Sequence, residues 1–381
     1  MNIPLLITTP TNIRYLTGFT GAAPEEREAY CLLAQNDLYL FTNALYIESA
    51  INIKSQISNL KQNKIQILEI SRENPFAIEL SRVLKSLPLQ GSTFKGVNKL
   101  GFEENSLTVL EYNKLTRELK GITLIPTQNR VEEMRMIKRD DEIASIKKAA
   151  QITDQCYDFI LKKIQPGVTE SDIAWEIESF FRKHGATTAF SPIVAFGKNS
   201  SQPHYNPYSI TKKPFDSPSL KNNDVILLDF GARVNGYCAD MTRVVFIGKP
   251  KDEWIRAYHS VLEAQKKALL AMKKCYHVPL HDSKSVSISG AALDRAARKH
   301  IEDASFSPYP HSLGHGVGLD IHESPRLSVK NDELLTPGMV CTVEPGVYVE
   351  GQYGIRIEDL VFLRNDGIEI LSKSNKDVLL L

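Results

Sequence analysis

An α/β (α+β) fold in two domains is predicted by three features of the sequence. Its 381 residues exceed one minimal module, since domains run at roughly 100–200 residues each. Hydrophobic residues make up 42% and charged residues 24%, the ordinary mix of a globular chain with ample core material, which excludes global disorder. Short strand-like apolar runs alternate with stretches of helical spacing in the first part, and strands dominate the last.

The first two apolar runs, 29–34 and 38–42, flank Gln35-Asn36-Asp37 and read as a hairpin. Further strands are expected at Lys64 to Ile70 and Lys99 to Glu103, with helices at Pro75 to Lys85 and Ser106 to Leu119. Together these make an α/β unit of one domain's size. The polar, turn-forming stretch from Ile125 to Arg130 places a boundary near Pro126, giving domains 1–126 and 127–381. Beyond it, Glu132 to Phe159 carries apolar residues at helical spacing. Helices are expected at Asp140 to Lys163, ended by Pro166-Gly167, and at Thr169 to His184 with Thr169 as N-cap. A helix followed by an acidic hairpin occurs around Asp229 and again around Glu344 and Glu358, a weak repeat that suggests two similar halves.

Lys plus Arg number 46 and Asp plus Glu 45, a formal charge of +1. No basic excess exists to neutralise a phosphate backbone or an anionic membrane, so nucleic acid is not the expected ligand. The five cysteines are scattered and odd in number, which fits neither a disulfide framework nor a Cys-x-x-Cys metal site and points to a reducing compartment. The N-terminus lacks a basic stretch and a long apolar run, and no segment approaches the roughly 18 apolar residues of a membrane span. A cytoplasmic protein without a membrane partner is expected.

Asp224 to Arg243 carries the first chemical signal. Asn235-Gly236 is the preferred dipeptide of a two-residue hairpin turn. If Val234 pairs with Tyr237, Gly231 lies opposite Asp240, and Asp229 shares the face of Asp240. The two aspartates are then diagonal neighbours, ~7–8 Å apart at Cα, a separation from which carboxylates can share ions ~3.5–4 Å apart. A solvated hairpin face would be the bland account, but Asp229 follows the run Val225 to Leu228, and an unpaired buried carboxylate is costly. Asp229-Phe230-Gly231 also matches the metal-binding tripeptide of kinases, without the glycine-rich and His-Arg-Asp loops that reading requires.

His311 to Glu323 is the second signal. Three glycines in five residues, Gly314, Gly316 and Gly318, would each cost a helix about 1 kcal/mol. His311 and His315 are therefore read in an extended segment, and the glycines as permitting close approach to a ligand. Three of the nine histidines, His311, His315 and His322, fall within twelve residues; one alone would more often be a hydrogen-bonded structural histidine. The third signal is a pair of strands, Met339 to Glu344 and Gly354 to Phe362. Alternation puts Arg356 and Glu358 on one face and Ile355 and Ile357 on the other. Asp229, Asp240, Glu344 and Glu358 supply four negative charges, too many for one divalent ion and balanced by two, with His315 able to complete a coordination sphere. Hard oxygen donors suit Mn²⁺, with Co²⁺, Zn²⁺ and Fe²⁺ as alternatives.

At these residues the chain resembles the pita-bread metallopeptidases, which include methionine aminopeptidase, aminopeptidase P, prolidase and creatinase. The resemblance covers nearly the whole chain and implies a creatinase-like N-terminal α/β domain followed by a pita-bread catalytic domain. It implies metal ligation by Asp229, Asp240, His315, Glu344 and Glu358. The Xaa-Pro-cleaving branch is similar in the stretch from Phe190 to Ser200, in Pro203-His204-Tyr205 and in the three later histidines. The segment from Asn12 to Gly21 resembles the start of the creatinase-type domain that methionine aminopeptidases lack. Carried over, His204 and His322 are histidines that contact substrate and stabilise the tetrahedral intermediate, with His311 a further active-site histidine. Arg356 is the arginine near metals and substrate, and Glu344 also relays protons as base and acid.

Two departures stand out. Asn43-Ala44-Leu45-Tyr46 replaces the family's Asp-x-Arg-Tyr, losing both charges, and the stretch from Lys273 to Ser289 is longer than usual between two helices. The function implied is hydrolysis of the N-terminal Xaa-Pro bond of proline-containing peptides by a dinuclear Xaa-Pro aminopeptidase. The alternative is an Xaa-Pro dipeptidase (prolidase), and a homodimer is expected. A metal-free creatinase-like hydrolase is disfavoured because all five ligands are present. A silent binding protein is disfavoured because such members have broken ligand sets and added tails.

Overall fold

Residues 5–7 alternate between two cores, and this alternation organises the first unit. The structure, a computed structural model, describes residues 3–21, 27–57, 64–87, 97–206, 217–276 and 288–381. They divide into two compact units, Met1–Met134 and Arg135–Leu381. In the first unit the order is β1 (Leu5–Ile7), α1 (Pro10–Thr17), β2 (Ala29–Ala34), β3 (Asp37–Thr42), α2 (Ile47–Ile57), β4 (Ile65–Glu69), α3 (Phe76–Ser86), β5 (Lys99–Glu103), α4 (Val109–Glu118) and β6 (Thr123–Thr127). The strands form one mixed sheet in the order β4-β3-β2-β1-β5-β6. Leu6, Leu32 and Phe41 face α3 and α4, and Leu5, Ile7, Cys31 and Leu40 face α1 and α2, as the period of two requires. The predicted hairpin is β2 and β3, with Cys31 opposite Leu40.

The fourth helix starts at Val109 rather than Ser106, because Thr108 caps it: its hydroxyl accepts from the Glu111 amide and Glu111 reaches back to the Thr108 amide. Asn12 is buried and donates to the buried Glu103 at 2.6 Å. Glu103 also accepts from the Thr8 and Thr9 amides, tying the first helix to β5. Pro126 pairs with Phe102 within β6, an edge strand where its missing N–H costs no ladder bond.

The next helix, α5 (Arg130–Met136), runs across the residue at which the two units divide. The second unit continues with α6 (Asp140–Leu161), α7 (Glu170–Lys183), β7 (Thr187–Thr188), β8 (Ile193–Phe196), β9 (Val225–Asp229), β10 (Ala232–Val234), β11 (Tyr237–Cys238) and β12 (Thr242–Phe246). After these come α8 (Asp252–Tyr276), α9 (Gly290–Asp303), β13 (Gly314–Gly316), β14 (Glu323–Leu327), β15 (Val340–Val343), β16 (Gly346–Val349), β17 (Tyr353–Arg356), β18 (Asp359–Arg364) and β19 (Gly367–Ile370). Thr169 caps α7 as expected, accepting from the Asp172 amide.

The strands β12-β9-β8 and β14-β13-β15-β18-β19 form antiparallel sheets. Their side chains alternate between two helix layers. Val225, Leu227, Cys341 and Val343 join the core of α8 and α9, while Ile226, Leu228 and Val340 join that of α6 and α7. Each half of the unit thus contributes a helix pair followed by antiparallel strands. No described helix is long and apolar enough to cross a membrane, and all five cysteines are free. The long stretch read between Lys273 and Ser289 falls mainly at 277–287, outside the described residues. The single strand read from Gly354 to Phe362 is two strands, β17 and β18, in different sheets. Ile357 and Glu358 break the run because the Ile357 amide bonds to Pro345 and the Glu358 amide to Thr242.

Candidate active site

The hairpin register predicted from Asn235-Gly236 holds along its length. Val234 pairs with Tyr237, Arg233 with Cys238 and Asp229 with Thr242. Gly231 is required where the two arms cross, since a Cβ there would lie 1.8 Å from the Ala239 carbonyl oxygen. Asp229 ends the buried strand β9 and Asp240 lies just before β12; both are buried and line one cavity of about 400 Å³.

His204, His311, His315, His322, Glu344, Arg356 and Glu358 line the same cavity, so all nine residues singled out by sequence converge there. His204 comes from the turn after the 3₁₀ segment Gly197–Ser201, and Glu344 directly follows β15. Asp240, His315 and Glu358 are the tightest group, their ligand atoms within 4.8 Å of one another. His315 Nε2 lies 3.3 Å from Glu344 Oε1 and 3.6 Å from Asp240 Oδ2. Its Nδ1 faces the Gly316 carbonyl at 3.1 Å, so Nδ1 keeps its proton and Nε2, which carries the proton facing Glu344 in the metal-free protein, is the nitrogen that would ligate once that proton leaves. Asp229 lies outside the tight triplet: Arg356 Nη2 donates to its Oδ2 at 2.5 Å. Asp229 Oδ1, Asp240 Oδ1 and Glu358 Oε1 are buried with no hydrogen-bond partner. Unpartnered oxygens on three buried carboxyl groups around the buried His315 imidazole are a donor set that fits divalent cations.

Electrostatics agree with that fit. Burial, and then the charge of Asp229, pushes the Asp240 carboxyl well above its ordinary value, and burial with the charge of Asp240 does the same to Glu358. Burial outweighs the Arg356 guanidinium in raising Asp229. Glu344 behaves oppositely: although burial opposes ionisation, the His315 hydrogen bond and charge hold it down at about 2. Burial pushes His322 down to about 4 and lowers His311.

Sequence reasoning passed over the residues that orient this set. Thr242 accepts from Arg356 Nε at 2.9 Å and donates to Glu358 Oε2 at 2.6 Å. Thr342 accepts from the His315 amide at 3.0 Å and donates to Glu344 Oε1 at 3.1 Å. Each threonine stands two residues from a site carboxylate, Asp240 or Glu344, so strand alternation marked both. Tyr348, accepting from Arg356 Nη1 at 2.8 Å and bonded to His311 Nε2 at 2.9 Å, carried no such signal. Neither did Arg243, which is fully buried against Asp359 and donates to the Glu358 carbonyl. The glycine-rich run also has a different reason from the one expected. A Cβ on Gly314 would strike the Thr342 carbonyl and one on Gly318 the Glu323 carboxylate. These glycines accommodate the protein's own neighbours rather than a ligand.

A buried carboxylate-histidine cluster held between two antiparallel hairpins, under paired helices, is a candidate centre for divalent metal ions. Comparison with known proteins specifies it further. Residues 144–365 match the model of metallopeptidase family M24, and residues 4–137 match the creatinase/prolidase N-terminal domain. An uncharacterised peptidase of Bacillus subtilis, YqhT, is 33% identical over 99% of this chain and 95% of its own. Among solved structures, an Xaa-Pro dipeptidase from Bacillus anthracis is 33% identical with a TM-score of 0.83, covering 99% of this chain and 95% of that one. An X-Pro aminopeptidase from Thermotoga maritima is 31% identical with a TM-score of 0.81, covering 100% and 97%. The chain belongs to metallopeptidase family M24, with a creatinase-type N-terminal domain, and is a metal-dependent peptidase.

Proposed function

We propose that the chain is an Xaa-Pro aminopeptidase holding two divalent metal ions, with Mn²⁺ the resident pair. The observation carrying this reading is the buried set Asp229, Asp240, His315, Glu344 and Glu358 around one cavity, with three carboxylate oxygens left unpartnered. These five residues would hold the metals. When bound, the metals supply a nucleophile at neutral pH and Lewis acidity at the scissile carbonyl. Glu344, the most open of the five with its side chain 15% exposed, accepts a proton at a carboxylate oxygen and returns it to the leaving nitrogen. His204 and His322, both at the exposed rim of the cavity, contact the substrate. His311 is fixed by Tyr348 and by the Ser312 carbonyl at 2.8 Å. Proline gives the enzyme its niche, because an imide nitrogen has no hydrogen to donate and the ring fixes φ, so sites that grip a P1′ N–H cannot use it.

The aminopeptidase reading rests on Asn43-Ala44-Leu45-Tyr46, which lacks the arginine of the family's Asp-x-Arg-Tyr pattern that could have held a terminal carboxylate. The second reading, an Xaa-Pro dipeptidase, is favoured by Arg326, a cation of β14 that lines the cavity. Comparing kcat/KM for Ala-Pro-Ala and Ala-Pro with the same metal decides between them. The aminopeptidase reading requires the tripeptide to be cleaved at least as well. A preference of about tenfold for the dipeptide, 1.4 kcal/mol of transition-state binding, reverses it. A cytoplasmic homodimer completes the proposal, and sedimentation at micromolar concentration tests its assembly.

A further inference from the structure

His322 has no hydrogen-bond partner for its ring among the described residues; the ring rests edge-on against His315, centroids 4.4 Å apart. Its direction is therefore set by the backbone that carries it. That backbone is a segment without regular structure between β13 and β14, entered through a bulge at His315/Gly316, a feature that re-aims side chains beside active sites. The residue that follows His322 is Glu323, whose side chain is only 7% exposed. Two buried cations grip it from opposite oxygens. Lys138 Nζ donates to Oε1 at 2.7 Å and Arg135 Nη2 to Oε2 at 2.5 Å, with the cationic side chains 1% and 4% exposed. Arg135 also holds Asp320, two residues before His322, at 2.7 Å. The carboxylate occupies the space a Cβ of Gly318 would need, 2.3 Å from Oε1, so the grip closes the segment upon itself.

A buried ion pair is weak evidence for stability, since well-packed apolar residues often do as well. What it supplies is a fixed direction at each end. We propose that Lys138 and Arg135 are positioning residues that act through Glu323 to aim His322 into the cavity. The inference rests on the reading of His322 as a substrate contact. It assigns to the junction between α5 and α6 a part in catalysis that no residue of the cavity wall reveals.

A double-mutant cycle on Ala-Pro-Ala hydrolysis tests it, with Glu323→Gln, His322→Ala and the double variant matched for Mn²⁺ content. Glu323→Gln is expected to lower kcat/KM about tenfold when His322 is present and less than about twofold when it is absent. Equal losses in the two backgrounds, the mark of a merely structural role, overturn the proposal. Lys138→Gln gives the same cycle if Glu323→Gln does not fold. Wild-type kcat/KM in His322→Ala overturns the reading of His322, and the proposal with it. The crystal structure of Glu323→Gln is a readout independent of turnover: the proposal expects the His322 ring to leave its contact with His315, and a ring unmoved contradicts it.

Discussion

Arg356 donates from Nη2 to Asp229 Oδ2 at 2.5 Å, while Asp229 Oδ1 stays buried and unpartnered on the other side of the same carboxyl. One oxygen is thus committed to the protein and the other is available to a metal. The same guanidinium bonds Thr242, Tyr348 and the Pro203 carbonyl, so it fixes both the carboxylate and the wall around it. Breaking a buried ion pair by removing one partner costs about 3–5 kcal/mol. Arg356→Met is expected to lower the unfolding free energy of the metal-free protein by that order, read from urea denaturation. An unchanged midpoint would mean that Asp229 is held without the guanidinium.

Metal uptake should depend on pH in a defined direction. Burial and neighbouring carboxylates raise Asp240 and Glu358, so the metal-free folded state binds more protons than the unfolded chain. Stability of that state therefore falls as pH rises above the ordinary carboxylate range toward the raised values. Ligation requires those protons to leave, so affinity rises with pH and binding releases protons. Calorimetric titration with Mn²⁺ in two buffers of different ionisation enthalpy measures the release. Uptake without proton release would contradict the assignment of these two carboxyls.

Much of this site was legible in the sequence because it is built from short-range patterns. Asn235-Gly236 sets a hairpin register, and counting outward from it brings Asp229 and Asp240 to one face, as found. Alternation likewise turned Arg356 and Glu358 toward the cavity and Ile355 and Ile357 into the core. The contacts that orient the site join distant residues: Thr242 to Glu358, Tyr348 to His311, Lys138 to Glu323. No local period encodes which remote side chain a hydroxyl or ammonium will meet. The break between β17 and β18 was hidden for the same reason, since it depends on Thr242 and Pro345 accepting the amides of Glu358 and Ile357.

Glu344→Gln separates fold from chemistry. The amide keeps the volume and can still accept from Thr342, but it cannot take up a proton at the position of Oε1. Folding measured by circular dichroism should be unaltered while kcat, at Mn²⁺ content matched to wild type, falls by roughly 10²–10⁴-fold, the usual worth of a positioned acid-base group. Wild-type turnover would remove Glu344 from that role.

Gly231→Ala tests the geometry that brings the two aspartates together. The added Cβ would meet the Ala239 carbonyl oxygen at 1.8 Å, a backbone atom with nowhere to go. Overpacking of this kind costs typically about 1–3 kcal/mol, and relief by parting the hairpin arms would also separate Asp229 from Asp240. Reduced thermal stability together with weaker Mn²⁺ binding is expected, measured by calorimetry. Unchanged metal affinity would show that the hairpin crossing does not set the carboxylate spacing.

The central claim, a metal-dependent peptidase directed at Xaa-Pro bonds, is tested most directly by one assay. Hydrolysis of Ala-Pro-Ala and Ala-Ala-Ala is followed on the same preparation after chelation, with metal content verified by elemental analysis, and again after Mn²⁺ is restored. The predicted result is no turnover in the chelated enzyme, recovery with Mn²⁺, and kcat/KM at least about 100-fold greater for Ala-Pro-Ala, or ~2.7 kcal/mol of transition-state discrimination. Full turnover by metal-free enzyme, or equal rates on the two tripeptides, would contradict it.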